Sequence, residues 1–161
     1  MGKPGALQRF AAAAADRGLQ LDVREFPEGT RTAADAARAI GCEVSQIVKS
    51  LVFVAEGDGA VFVALTSGAN RADTARLAEI LGAPGIRKAT ADEARDATGF
   101  AIGGTPPFGY PRPLRVLVDR HLLAHEEVWA AAGTPMSVFP IRPASLVEAA
   151  GAEPADFVEE G

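Results

Sequence analysis

The sequence is poor in the side chains that most enzymes use for nucleophilic, acid–base or metal chemistry. A single cysteine, Cys42, stands among 161 residues, which excludes an internal disulfide and any multi-cysteine metal site. It follows a helix-ending glycine with no histidine nearby in sequence, and reads as a buried or incidental thiol rather than a nucleophile. There are two histidines, His121 and His125. Four apart in HLLAHEE, they have the spacing of a two-histidine metal pair on a helix. No glutamate directly follows the first, so the zinc-protease pattern fails and the pair reads as surface helix residues. GxSxG, GxxxxGK[ST] and GxGxxG are all missing, so neither a nucleophile elbow nor a glycine-rich phosphate cradle is encoded. No metal and no cofactor is expected. The chain also has no apolar run of membrane-spanning length and no signal-peptide pattern at its start, so the expected location is the cytoplasm. A net charge of −5 argues against a protein that coats nucleic acid.

What is present suits a globular fold. The chain is 48% hydrophobic and 23% charged, and its length fits a single domain over residues 1–161. Helix and strand patterns alternate. GALQRFAAAAADRG predicts an alanine-rich helix with Leu7, Phe10 and Ala14 on one face. LDVREF is an imperfect strand, suited to an edge, and Thr32 is placed to cap a helix over TAADAARAI. QIVKSLVFVA is the strongest strand, joined through Gly-Asp-Gly to AVFVALT as a hairpin. Asp73 opens an amphipathic helix, DTARLAEILG. In TADEARDATG, Thr90 and Glu93 form a capping box. LRVLVD predicts a buried strand, RHLLAHEEVWAAAG a helix, and PMSVFPI a last strand whose Pro140 belongs at an edge or a strand end. A helix over PASLVEAAG starts at Pro143. A hairpin combined with helical crossovers implies an α/β (α+β) fold, with helices packed around a mixed sheet.

Two features interrupt this ordinary pattern. TGFAIGGTPPFGYPRP, residues 98–113, holds four glycines and four prolines. Such a run forms a stiff loop, because each proline fixes its own φ and restricts the residue before it. Its composition reads first as a long structural turn. The alternative is a binding wall made of backbone, since Gly103 and Gly104 can bring N–H groups to a ligand with no Cβ in the way. Lys49 is the second feature, a charge inside the apolar strand IVKSLVF. It is either an outward edge residue that discourages aggregation or a cation in a polar cleft, where it would meet a phosphate or carbonyl oxygen.

These residues carry a resemblance. The strand lysine of QIVKSLVF, the strand–loop–helix ALTSGANRADTARLAEILGA with its Asp73, and the Gly103-x-x-x-Pro107 spacing are similar, in that order, to motifs of the YbaK/ProX family of aminoacyl-tRNA deacylases. That family includes the editing domain of bacterial prolyl-tRNA synthetases, and the resemblance runs from about residue 20 to residue 150. It implies a strongly curved mixed sheet surrounded by helices. It also implies metal-independent hydrolysis of the ester joining a wrong amino acid to the 3′-terminal adenosine of a tRNA. Ester cleavage needs an attacking water, donors for the developing oxyanion and a discriminating pocket. Lys49, Gly103 and Gly104 are the expected catalytic residues. Val52, Thr66, Asp73, Phe100, Ile102, Thr105, Pro107 and Ser137 are the expected substrate-binding ones. Ser137 lies where some family members carry a carboxylate. With no histidine near the motifs, the vicinal ribose hydroxyl of the substrate is the expected proton relay, which makes hydrolysis substrate-assisted.

Charge is distributed to match. Residues 68–120 hold eight Lys and Arg against six Asp and Glu, a net of +2, and the remainder sums to −7. Arg71, Arg87, Lys88, Arg112 and Arg115 are the candidates for touching the acceptor stem, in weak, salt-sensitive binding. An aminoacyl-tRNA synthetase is a further candidate partner, and the expected state is a monomer or weak dimer. A non-catalytic module that binds tRNA or a synthetase on the same fold, or a small-molecule binder, remains the alternative.

Overall fold

The computed structural model describes residues 5–26 and 32–160. Chain order is α1 (Ala6–Asp16), β1 (Arg24–Glu25), α2 (Ala33–Ile40), β2 (Val48–Ala55), β3 (Val61–Ser67), α3 (Thr74–Leu81) and β4 (Ile86–Lys88). It continues with α4 (Ala91–Thr98), β5 (Arg115–Asp119), β6 (Val128–Ala131), β7 (Ser137–Ile141), α5 (Pro143–Ala150) and β8 (Glu153–Ala155). Helix starts follow their capping chemistry. Thr32 accepts from Asp35 N–H, Asp73 from Ala75 and Arg76 N–H, and Thr90 from Glu93 N–H with the reciprocal Glu93 contact.

The strands form two sheets. A mixed five-stranded sheet has the order β4-β2-β3-β5-β8, and a three-stranded sheet has the order β1-β7-β6. The β2–β3 hairpin is antiparallel, pairing Lys49 with Thr66 and Phe53 with Phe62, whereas β3–β5 and β5–β8 run parallel. A parallel bridge from Ile47 to Trp129 joins the start of β2 to β6. The two sheets therefore meet beside Lys49.

Each face of the larger sheet has its own core. Phe53, Phe62, Leu77, Leu117 and Phe157 fill the α3 side. Phe10, Val48, Val63, Leu65, Phe100, Phe108 and Phe139 pack on the other, where the three-stranded sheet, α1 and α5 close the interior.

Four expectations need correction. The predicted helix over 120–133 is instead a 3-10 turn, Arg120–Ala124, followed by strand β6. Asp119 ends β5 and accepts from His121 N–H, which tightens the turn. Val128 and Trp129 then gain more from a buried strand pairing with β7 than alanine-rich propensity offers a helix. His121 and His125 therefore do not share an α-helical face. The strand predicted over 21–26 narrows to Arg24–Glu25, paired with β7. β7 is not the last strand, because β8 follows as an edge strand in which Pro154 is tolerated. β4, from GIRK, was not anticipated. Pro140 does lie near the end of β7, beyond the two residues paired with β1.

Candidate active site

A cleft of about 560 Å³ opens where the two sheets meet. Its floor is β2 from Val48 to Leu51 with Trp129–Ala131 of β6, its near wall is the start of α2, and Ile102, Gly103 and Thr105 form the far wall. The lysine strand and the Gly-Pro loop, more than fifty residues apart in sequence, thus face one space.

Lys49 is half-buried, and its Nζ donates to the Asn70 carbonyl at 2.6 Å. That contact uses one of three donor positions on the ammonium and leaves two for a ligand. Its pKa is pushed below the ordinary lysine value, chiefly by burial, then by the positive charges of Arg71 and Lys88, with Asp119 opposing. Behind it lies a polar brace. Asp119, 2% exposed, accepts from Ser67 N–H at 3.1 Å and from Asn70 Nδ2 at 2.8 Å, and the Asn70 Nδ2 also lies 2.7 Å from His121 Nδ1. The residue whose carbonyl holds Lys49 is therefore itself anchored, through its side-chain amide, on a buried carboxylate.

The loop is stiff because its own polar groups lock it. Tyr110 Oη donates to the Pro106 carbonyl at 2.7 Å and Thr105 Oγ1 to the Ala101 carbonyl at 3.1 Å, while Phe108 packs against Phe10 and Phe139. Its two glycines differ. Gly103 has φ +93°, and a Cβ there would meet only Pro135 Cγ, at 3.9 Å; its N–H has no acceptor among the described residues. Gly104 gives its N–H to the Ala101 carbonyl at 3.1 Å, and a Cβ there would sit 2.7 Å from Thr134 Cα. Gly104 thus lets the loop approach the 133–134 turn, and the backbone facing the cleft belongs to Gly103.

The other expected residues divide. Ile102, 56% exposed, and Thr105 line the cleft with Lys49 and Gly103. Val52, Phe100, Pro107 and Ser137 are buried outside the lining, Ser137 with its Oγ 2.6 Å from Thr134 Oγ1. Thr66 is buried opposite Lys49 and donates to the Ala64 carbonyl. Asp73 spends its carboxylate on the α3 cap and a 3.8 Å ion pair with Arg76, away from the lining. Arg87 is held by both oxygens of Glu93 and Arg115 by Glu153, whereas exposed Arg71 has a looser 3.9 Å pair with Glu159, and Lys88 and Arg112 are exposed as well. Ser50, Trp129 and the braces Asn70 and Asp119 were missed. Ser50 adjoins Lys49 in an otherwise apolar strand, a signal available in sequence. Trp129 was hidden by its assignment to a helix. Among the described residues, no three His, Cys, Asp or Glu side chains cluster to hold a metal, and no helix is long and apolar enough to cross a membrane.

A mixed sheet with a lysine strand facing a GxxxP loop fits an editing-type fold, and sequence comparison agrees: residues 27–149 match the aminoacyl-tRNA editing domain, and the chain belongs to that family. Among its relatives, a candidate trans-editing enzyme for prolyl tRNA synthetase has a crystal structure that superposes with a TM-score of 0.90 at 46% identity, covering 99% of this chain and 100% of the other. The uncharacterized protein YwhH of Bacillus subtilis is 32% identical over 79% of this chain and 80% of its own length. The proline–tRNA ligase of Limosilactobacillus fermentum is 30% identical over 58% of this chain, and the match spans 17% of the ligase.

Proposed function

We propose that this protein is a trans-acting aminoacyl-tRNA deacylase that clears mischarged tRNA. The observation that carries the reading is the convergence of Lys49 and the Gly103 loop on a single cleft. Water attacks the ester carbonyl carbon, and a tetrahedral intermediate forms. The bond to the ribose oxygen then breaks, releasing free amino acid and tRNA, with the proton from water ending on that ribose oxygen. The Gly103 N–H and the two remaining Lys49 donors are the groups available to the developing oxyanion or a neighbouring phosphate. None of the described residues lining the cleft is a histidine, aspartate or glutamate. The vicinal hydroxyl of the terminal adenosine is therefore the group that orients the water or relays its proton. Orientation of this kind is worth on the order of 7 kcal/mol or more in favourable cases. Arg71, Lys88 and Arg112 would receive the acceptor stem.

The test is single-turnover hydrolysis of Ala-, Cys-, Ser- and Thr-charged proline tRNA, alongside the same esters on a terminal adenosine without its vicinal hydroxyl. Rapid release of at least one amino acid, lost without that hydroxyl, is expected. Binding without release on every substrate would make the chain a non-catalytic tRNA-binding module, and equal rates with and without the hydroxyl would return the base to the protein.

A further inference from the structure

Ser50 is singular in this structure. Among the described residues, its Oγ is the buried side-chain nitrogen or oxygen left without a hydrogen-bond partner. A buried hydroxyl without a partner destabilises the free protein, so its presence in a cleft points to a partner that arrives from outside. Ser50 lines the cleft beside Lys49.

Its backbone is open as well. Ala89 N–H donates to the Val52 carbonyl and Glu56 N–H to the Gly85 carbonyl. Even-numbered residues of β2 thus turn their main-chain groups toward the β4 side. β4 pairs only with Phe53–Ala55 on that edge, and the bridge to β6 reaches only Ile47. Between them, at Ser50, β2 has no strand partner on that edge. A buried, unpartnered hydroxyl and a main-chain carbonyl at an unpaired edge therefore fall at one position, against an apolar surface of Ile47, Ala130, Ala131 and Val138.

We propose that Ser50 anchors the amino-acid portion of the substrate, its Oγ and carbonyl oxygen accepting hydrogen bonds from the α-amino group. This rests on the deacylase reading, because it is an aminoacyl ester that brings such a group beside the scissile carbonyl. No carboxylate lines the cleft among the described residues, and Lys49 already supplies a positive charge there. Neutral acceptors are what the described lining offers an amine, and they hold it without a competing ion pair to Lys49. The anchor fixes which side of the carbonyl faces Lys49 and Gly103, and the apolar walls receive the side chain.

The test compares wild type with Ser50→Ala on two esters of the same proline tRNA: alanyl, and propionyl, which is alanyl without its amine. Ser50→Ala is expected to slow single-turnover alanyl release about tenfold and to leave propionyl release unchanged. Its melting temperature should match or exceed that of wild type, because the partnerless hydroxyl is gone. Equal rates on alanyl ester in both proteins overturn the anchor while leaving the deacylase reading intact. So does an equal loss on both esters with a lowered melting temperature, which makes Ser50 structural. Failure of wild type on every charged tRNA overturns the deacylase reading and the anchor with it.

Discussion

The two halves of β2 teach opposite lessons. At Phe53 and Val54 the strand is paired on both edges, by β3 and β4, and Phe53 stacks on Phe62 in a filled core. From Val48 to Leu51 only β3 pairs regularly, and the vacant edge borders a cleft lined by alanines, Trp129, Lys49 and Ser50. The strand makes structure where the sheet is complete and a site where the sheet is left unfinished. Main-chain groups that a longer β4 would have satisfied are left without a strand partner on that edge.

The contrast is broken most forcefully in the closed half. Phe62 is 1% exposed, and Phe62→Ala should cost about 3–5 kcal/mol of stability through lost burial and a cavity. Denaturant unfolding measures it, and the activity of the remaining folded protein should be near normal. A cost under about 1 kcal/mol would mean that this half is not the rigid one.

Next comes the loop. Gly104→Ala pushes a Cβ against the backbone of the 133–134 turn and should destabilise by about 1–3 kcal/mol, as overpacking does. Gly103→Ala meets open space but a φ of +93°, which costs an alanine about 1 kcal/mol, and its damage should appear in the deacylation rate. Thermal melts beside single-turnover assays separate the two. If the two glycines exchange these effects, the wall facing the cleft has been assigned to the wrong residue.

In the open half, Lys49→Ala should slow deacylation at least about tenfold, close to 1.4 kcal/mol of transition-state stabilisation, with an unchanged circular-dichroism spectrum. An undiminished rate would make Lys49 an edge-strand residue only.

The smallest effect is the pH dependence of that lysine. Its folded pKa lies below the ordinary value, chiefly through burial. Activity that needs the ammonium should therefore fall on the alkaline side before a free lysine would titrate. The residual activity of Lys49→Arg should lose that limb, because a guanidinium stays charged. Stability has the opposite sign. The native state releases this proton first, so stability should rise with pH between the lowered value and the ordinary one. Lys49→Met should flatten that rise in urea titrations across the same window.

Local chemistry was enough to determine much of this protein. Caps at Thr32, Asp73 and Thr90, the Gly-Asp-Gly hairpin and the β-branched run through Val48–Val54 each act within a few residues, so they can be read along the chain. The lysine strand and the GxxxP spacing likewise stood out against their surroundings. What depended on distant partners could not be read this way. VWAA at 128–131 becomes a strand because β7 lies alongside it, and EPA at 153–155 because β5 offers an edge. Gly103 and Gly104 are adjacent and chemically identical, and only the 133–134 turn packed against one of them gives them different roles. Ser50 shows in sequence only as a polar neighbour of Lys49 in an apolar strand. Its main-chain edge is open because β4 stops short and the bridge from β6 falls at Ile47, and a sheet edge is left open by which strands pack beside it, not by the residues on it.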